Sequence, residues 1–599
     1  MISNSAHPFL SLLISLILFF GFYEIGKFAV SKFSLKSLIQ NVSSCEFQYT
    51  SIGIVIISLI LFPLVAFTNS AKFILIIFSI ILFVFGIKFL KSIKQIFLNF
   101  KIEKKDLFFY VFILIVSLYF LLALSPLTAA DVLDYHSGVA LNILRFDRYI
   151  LLPEWFTGLQ AGHGETLISL GFSVGAEQFG SLIQFSSILC ISGIIIKFSE
   201  NQRDLWSKYF LVVTVLTCPI LIFLLSGNKP QIFYSSLLFF AFALNFVKLK
   251  NKKEILISYL IINILICLCV MGKFSFNLSG GLVWLFSTLN FINKENYRRL
   301  IIIPIGVFAF LFLPFIYWKY INLGGNFFTY LYSPFPLHLP GYETFLNHNR
   351  GSQEIPFPNF LFYTSMSRLT EFLALSPIYF IILIFFIKQK KNISIILLMV
   401  LAFVLISNLY ASPSARYYLD VILWLTIGVT FLKNFKINNI LKILFFPQVL
   451  MTVVILIYSV YNFLPGSFSK KLYRDVKNNY AYMYSGFEWL NEIVPDNSKI
   501  LIINRPIANY KEFAVSGNFN YFTNKDEAIY YKNLIKKYDL ELIAYFGNKA
   551  DLMHLKNCAL ELFKKKENVG FHATRNPFNK GSYYNGYIYH FDNNKLPNC

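Results

Sequence analysis

Charge is what this chain has least of, and carboxylates are its scarcest charged group. Its 599 residues hold 31 Asp and Glu against 53 Lys and Arg, and only 14% are charged. With 56% hydrophobic residues, such a chain cannot dress a soluble globule in polar surface, so it reads as a polytopic membrane protein with a modest soluble appendage. Cysteine is sparse as well. The seven cysteines form no CxxC pair and no Cys/His cluster, which excludes a zinc-built or redox-motif scaffold. Charges inside the apolar stretches are nearly absent and no internal repeat is evident, whereas transporters tend to carry both. The first apolar run, Pro8–Tyr23, lacks a positive leader and continues to Glu24 and Lys27 without a small-residue cleavage site, so a retained first span is expected.

The apolar stretches themselves are long. About fourteen of them, each able to cross a ~30 Å hydrocarbon core, are expected near 8–30, 50–68, 73–90, 107–125, 176–197, 209–226, 230–248, 254–272, 278–293, 300–318, 371–387, 392–409, 417–432 and 440–463. Every second loop between them is rich in Lys and Arg: Lys27/Lys32/Lys36, Lys88 through Lys105, Lys197/Arg203/Lys208, Lys248 through Lys253, Lys294/Arg298/Arg299, Lys388/Lys390/Lys391 and Lys433/Lys436/Lys442. These loops are cytoplasmic by the positive-inside rule. The net charge of +22 is thus largely spent on insertion and on anionic lipid, and nucleic acid is not an expected partner. The bare loops face outward, and with them both termini. The expected organisation is a membrane domain over 1–465, with long outer loops at 126–175 and 319–370, and an extracytoplasmic α/β domain over 466–599.

The first outer loop carries LDYHSGVALNILRFDRYI (Leu133–Ile150), whose apolar residues recur every three or four positions, and an amphipathic helix at the interface is expected there. A second short helix should begin near Gly164. The second loop, Gly324–Phe360, is rich in Pro, Gly and aromatics and reads as an irregular flap over the outer mouth. In the tail, Lys499–Asn504, Leu540–Tyr545 and Tyr583–Phe591 read as strands, and Asp526–Tyr538 and Asn548–Lys565 as helices.

All eight His fall outside by this topology, but position says more than number. In Thr128–His136 (TAADVLDYH), Asp131 and Asp134 sit three apart and share a face if the segment is α-helical. His136 follows directly. A carboxylate against low-dielectric walls suits a general base; the bland alternative is that Asp131 caps a helix. Cations on the outer face are few. Arg416, Lys273 and Lys319 are the candidates for gripping a phosphate, Arg416 foremost because a guanidinium binds it bidentately and keeps its charge. Snorkelling or interfacial anchoring is the plainer reading for each, and for Lys72 and Lys229. Cys558 and Cys599 share the outer compartment, where a disulfide would pin the C-terminus.

Several of these segments resemble one family in order and in sidedness. Asp131, Leu133, Tyr135 and His136 give a D-x-L-x-Y-H pattern that resembles the first loop of GT-C glycosyltransferases, the multi-span enzymes that use polyprenyl-phosphate-linked sugars, similar to the protein mannosyltransferase and aminoarabinose transferase families. Lys319–Asn322 with Gly324, Gly325, Asn326 and Ser333-Pro334-Phe335 resembles their aromatic Gly-Asn-Pro loop, and Ser414–Leu419 their late S-x-R-Y-x-L stretch. The tail looks like the α/β domain often appended. The resemblance implies a GT-C-like inner-membrane enzyme, a polyprenyl-phosphate-linked sugar as donor, a lipid, glycan or protein as acceptor, and Asp131 as the acid of the first loop. Relatives often carry a second acid in the next outer loop, where this chain has Ser226-Gly227-Asn228-Lys229-Pro230. A divalent metal would therefore need Glu165 or His163 as a substitute ligand. An O-antigen-type polymerase or ligase, or a transporter or flippase of lipid-linked glycans, remain the alternatives.

Overall fold

Lipid offers an isolated backbone segment no hydrogen-bond partners, so a long apolar run has the helix as its way across. In the computed structural model, which describes residues 7–99, 107–200, 205–225, 227–292, 297–339, 394–410, 418–431, 439–503, 507–516, 533–547, 561–572 and 582–591, the apolar runs are helical accordingly. They are α1 (Pro8–Lys32), α2 (Lys36–Val42), α3 (Cys45–Ala66), α4 (Ala71–Asn99), α5 (Leu107–Ala123), α6 (Ser137–Phe146), α7 (Phe156–Leu159), α8 (His163–Phe172), α9 (Phe179–Ser199), α10 (Leu205–Leu216), α11 (Pro219–Leu225), α12 (Gln231–Ala243), α13 (Lys252–Gly272), α14 (Asn277–Ile292), α15 (Tyr297–Val307), α16 (Leu313–Leu323), α17 (Ser394–Tyr410), α18 (Leu419–Thr430) and α19 (Asn439–Phe463). Seven described helices are long and apolar enough to cross a membrane, and shorter apolar helices at Leu107–Ala123, Gln231–Phe246, Ile395–Ser407 and Leu419–Thr430 add to them. The chain is an integral membrane protein. The stretch expected at 371–387 lies outside the described residues.

Two expected spans are interrupted. The one at 209–226 breaks into α10 and α11 at Cys218–Pro219, because Pro219 has no N–H to continue the ladder. The one at 300–318 contains a π-helical turn, Phe308–Phe312, between α15 and α16. At the centre stands α9, with 89% of its most apolar window buried, whereas α4 and the last span turn much of their surface outward to lipid. The α1–α3 pair is drawn to backbone contact at glycine: a Cβ on Gly53 would lie 2.0 Å from the Phe22 carbonyl oxygen.

After α19, a 3₁₀ turn (Leu464–Ser467) leads into α20 (Lys470–Tyr480) and α21 (Tyr484–Ile493). A five-stranded sheet follows, ordered β2-β1-β3-β5-β4, from β1 (Ile500–Ile502), β2 (Val515–Ser516), β3 (Leu542–Gly547), β4 (Glu561–His572) and β5 (Ser582–His590). β1 runs parallel to β2 and β3, while β5 is antiparallel to both β3 and β4. The helix expected over 548–565 is corrected in its described part, since Glu561–Lys565 begin β4. β4 is a largely exposed edge strand, so its sequence carries no burial period. Non-local pairing with β5, through two register shifts, decides its conformation.

Candidate active site

The loop after α5, expected to lie at the interface, folds into the body of the molecule. Residues Val132–Leu144 are almost all buried, because the tail covers the face that the pattern would have given to water. Arg145 Nη2 donates to the Tyr510 carbonyl at 3.0 Å, and Gly138 abuts Ile507. Burial lowers the Arg145 guanidinium to about 10. Glu154, further along the loop, accepts from Tyr538 and pairs with Lys537.

The start of this loop is not α-helical. Val132–His136 form a π-helical turn in which the Ser137 N–H reaches back to the Val132 carbonyl. A π turn closes over five residues instead of four. Asp131 and His136 therefore approach one side, and Asp131 and Asp134 part company. The α-helical face expected for the two acids is corrected on this ground. Asp134 Oδ2 accepts from Thr157 Oγ1 of α7 at 3.3 Å. Asp131 Oδ2 accepts from Lys229 Nζ at 3.0 Å, with the two side chains 12% and 4% exposed. No capping bond runs from the Asp131 side chain to the turn it precedes. Asp131 lines instead a narrow crevice of only about 10 Å³ with Ala129, Val132, Phe223, Leu224, Gly227 and Lys229.

Lys229 owes its place to its neighbours. A Cβ on Gly227 would lie 2.5 Å from Val132 Cγ2, so only glycine lets this loop close on the π turn. Asn228 Nδ2 donates to Ser137 Oγ at 3.1 Å, and Pro230 packs on Gly164 at the start of α8. The lysine is thus aimed inward from a fixed loop and does not snorkel. Gly227 and Pro230 on either side of it were the signal available in the sequence.

Beside this pair lies a second one. His136 Nδ1 is 2.7 Å from Glu165 Oε1, and Glu165 Oε2 accepts the Gly162 N–H at 2.7 Å, capping α8. With both oxygens accepting, Glu165 fixes the proton on Nδ1 and leaves His136 Nε2 as the bare nitrogen, buried and without a hydrogen-bond partner among the described residues. Burial holds the imidazole below its ordinary 6.5. Glu165 opposes that shift, while the charges of Lys229 and Lys273 add to it. Those same interactions place Lys273 at this cluster, where its ammonium donates to Gln231 Oε1 at 2.9 Å.

Other expected site residues are engaged elsewhere, although Lys319 still feels the charge of Glu165. Lys319 is buried, with its ammonium on the carbonyls of Leu159 and Ala161, closing the C-terminal end of α7. His163 packs on the Phe62 ring, and burial pushes it down to about 4. Arg416, Cys558 and Cys599 lie outside the described residues, as does the 340–360 part of the flap. Among the described residues no three His, Cys, Asp or Glu side chains converge as ligands for a divalent ion; the cation facing Asp131 is Lys229, and Glu165 is engaged at both oxygens.

Residues 88–477 match the model of the DUF1420 N-terminal domain. No curated protein matches the chain. Among solved structures, it is similar to ArnT from Cupriavidus metallidurans bound to undecaprenyl phosphate, with 11% identity and a TM-score of 0.45 over 82% of this chain and 98% of that one. The apo state of that ArnT gives 11% and 0.43 over 80% and 97%. The oligosaccharyltransferase AglB from Archaeoglobus fulgidus, in complex with an inhibitory peptide and a dolichol-phosphate, gives 12% and 0.38 over 75% and 70%.

Proposed function

The chain belongs to the DUF1420 family, and from that premise we propose that it is a membrane glycosyltransferase. It moves a sugar from a polyprenyl-phosphate donor to a hydroxyl of a lipid, glycan or protein acceptor at the outer face of the inner membrane. The observation that carries this reading is the Asp131–Lys229 pair, a nearly buried carboxylate and ammonium 3.0 Å apart that line a narrow crevice.

The chemistry needs both charges. The acceptor oxygen attacks the sugar's anomeric carbon and gives its proton to Asp131. The bond from that carbon to the phosphate oxygen breaks, and its electron pair leaves on the phosphate. The donor's phosphodiester carries one negative charge and the departing polyprenyl phosphate a second, so cations must wait where that charge develops. Lys229 and Lys273 supply them, and Arg416, outside the described residues, is the third cation that the sequence offers. A neutral His136, held by Glu165, presents Nε2 as an acceptor for a substrate hydroxyl.

Binding of undecaprenyl phosphate to the purified full-length protein in nanodiscs, followed by native mass spectrometry, tests the donor half of this reading. Saturable binding that weakens at least tenfold in Lys229→Met supports it. Binding that is absent, or indifferent to Lys229, overturns it.

A further inference from the structure

The segment that leads into Asp131 finds its backbone partners mainly outside its own helix. Between the end of α5 at Ala123 and the π turn at Val132, residues 124–130 run almost without helix and mostly buried. Buried carbonyl and amide groups must be paired, and here the tail supplies the donors to three of the carbonyls. The Leu124 carbonyl accepts from Ser467 Oγ at 2.6 Å, the Leu127 carbonyl from Lys477 Nζ, and the Thr128 carbonyl from the Tyr482 N–H at 3.4 Å. The Leu127 N–H donates to Glu177 Oε1 at 3.0 Å.

Lys477 and Glu177 are themselves paired, 3.3 Å apart and 0% and 2% exposed, and Tyr473 OH donates to Glu177 Oε2 at 2.9 Å. One buried ion pair thus grips both polar groups of Leu127, four residues before Asp131. Glu177 reaches it from the turn ahead of α9 and Lys477 from α20. The helix is built for this. Ser469 caps its start by accepting the Leu472 N–H, Lys470, Lys471 and Arg474 face water, and Tyr473, Val476 and Lys477 face inward. The rings of Tyr473 and Tyr484 lie within 6 Å of the Lys477 ammonium. Burying such a pair gains little stability over an apolar contact of the same volume. Its value here is the register it imposes.

We propose that Lys477 and Glu177 are positioning residues: through Leu127 they fix where Asp131 stands against Lys229, so the outer domain is a working part of the catalytic site. This rests on the reading of Asp131 as the base.

The test is the double variant Glu177→Gln/Lys477→Met in the full-length protein, which removes both charges at near-constant volume. The expected result is at least tenfold faster amide hydrogen exchange over residues 124–136, with α9 and the sheet unchanged. Transfer should show a tenfold or greater loss of kcat, with donor KM within twofold of wild type. Exchange as slow as wild type overturns the proposal, and so does loosening without loss of kcat. If wild type transfers no sugar at all, the functional reading falls while the exchange arm still decides the positioning. If the double variant does not fold, Tyr473→Phe, which removes one hydroxyl from the same carboxylate, should loosen the segment two- to threefold, and no change there overturns the proposal.

Discussion

Lys229 Nζ sits 3.0 Å from Asp131 Oδ2, in the loop where the family resemblance implies a second acid. An ammonium there neutralises the carboxylate, and in the proposed reaction it is one of the cations that meet the donor phosphate. Removing one member should leave the other buried charge without its partner in this pair, at a cost of about 3 kcal/mol. Asp131→Asn and Lys229→Met should therefore each lower the thermal midpoint in detergent. The double variant should recover most of the loss, since neither charge is then stranded. Additive losses in the double variant would show that the two side chains do not depend on each other.

The imidazole at His136 predicts a pH profile. Its ordinary value is 6.5 and burial lowers it, so the neutral form prevails above 6.5. Protonation would place a third positive charge beside Lys229 and Lys273 and remove the bare Nε2. The acid limb of the pH–rate profile should therefore lie below pH 6.5. Glu165 favours the protonated form, so Glu165→Gln should move that limb further toward acid. A limb above 6.5 would contradict the assignment, as would a shift toward neutral pH in the variant.

His163 should govern acid stability separately. Its folded-state value is about 4 against an ordinary 6.5. Below 6.5 the unfolded chain takes up a proton that the folded protein refuses, so stability is complete above 6.5 and falls as the pH drops toward 4. The loss is roughly 3 kcal/mol over that window. His163→Gln should flatten the fall in thermal midpoint between pH 6.5 and 4, and an unchanged slope would remove His163 from the explanation.

Orientation follows from the alternating Lys/Arg loops. A phosphatase fusion after residue 470, just inside α20, should be active on the outer side and a cytoplasmic reporter at the same point inactive. The reverse pattern would place the Asp131 cluster on the wrong face for a polyprenyl-linked donor.

How far the sequence reaches differs between fold and site. Segments such as α3, α9 and α13 were legible because length and hydropathy determine them locally, as were β1, β3 and β5, whose apolar runs are buried. The Cys218–Pro219 break was visible in principle, since proline interrupts any ladder. The π turn at Val132–His136 was not. It differs from an α turn by one residue per closure, and packing against Gly227 and α8 selects it. The separation of Asp131 from Asp134 follows from that turn and was hidden with it. Lys229 looked like a snorkelling residue because nothing in a single sequence shows which way a loop lysine faces. Lys477 escaped notice for the same reason, in a helix whose other lysines are exposed. β4 misled because an exposed edge strand has no apolar period, and its Lys564–Lys566 run looks like a solvated helix.

Sugar transfer itself is the most direct test of the central claim. Proteoliposomes containing the full-length protein and total envelope lipid would be given a panel of undecaprenyl-phosphate-linked radiolabelled sugars, and the release of undecaprenyl phosphate together with label in a new product would be followed. Wild type should turn over at least one donor, and Asp131→Asn, inserted and folded normally, should be about 10²-fold slower or worse. Asp131→Asn turning over at the wild-type rate would contradict the account.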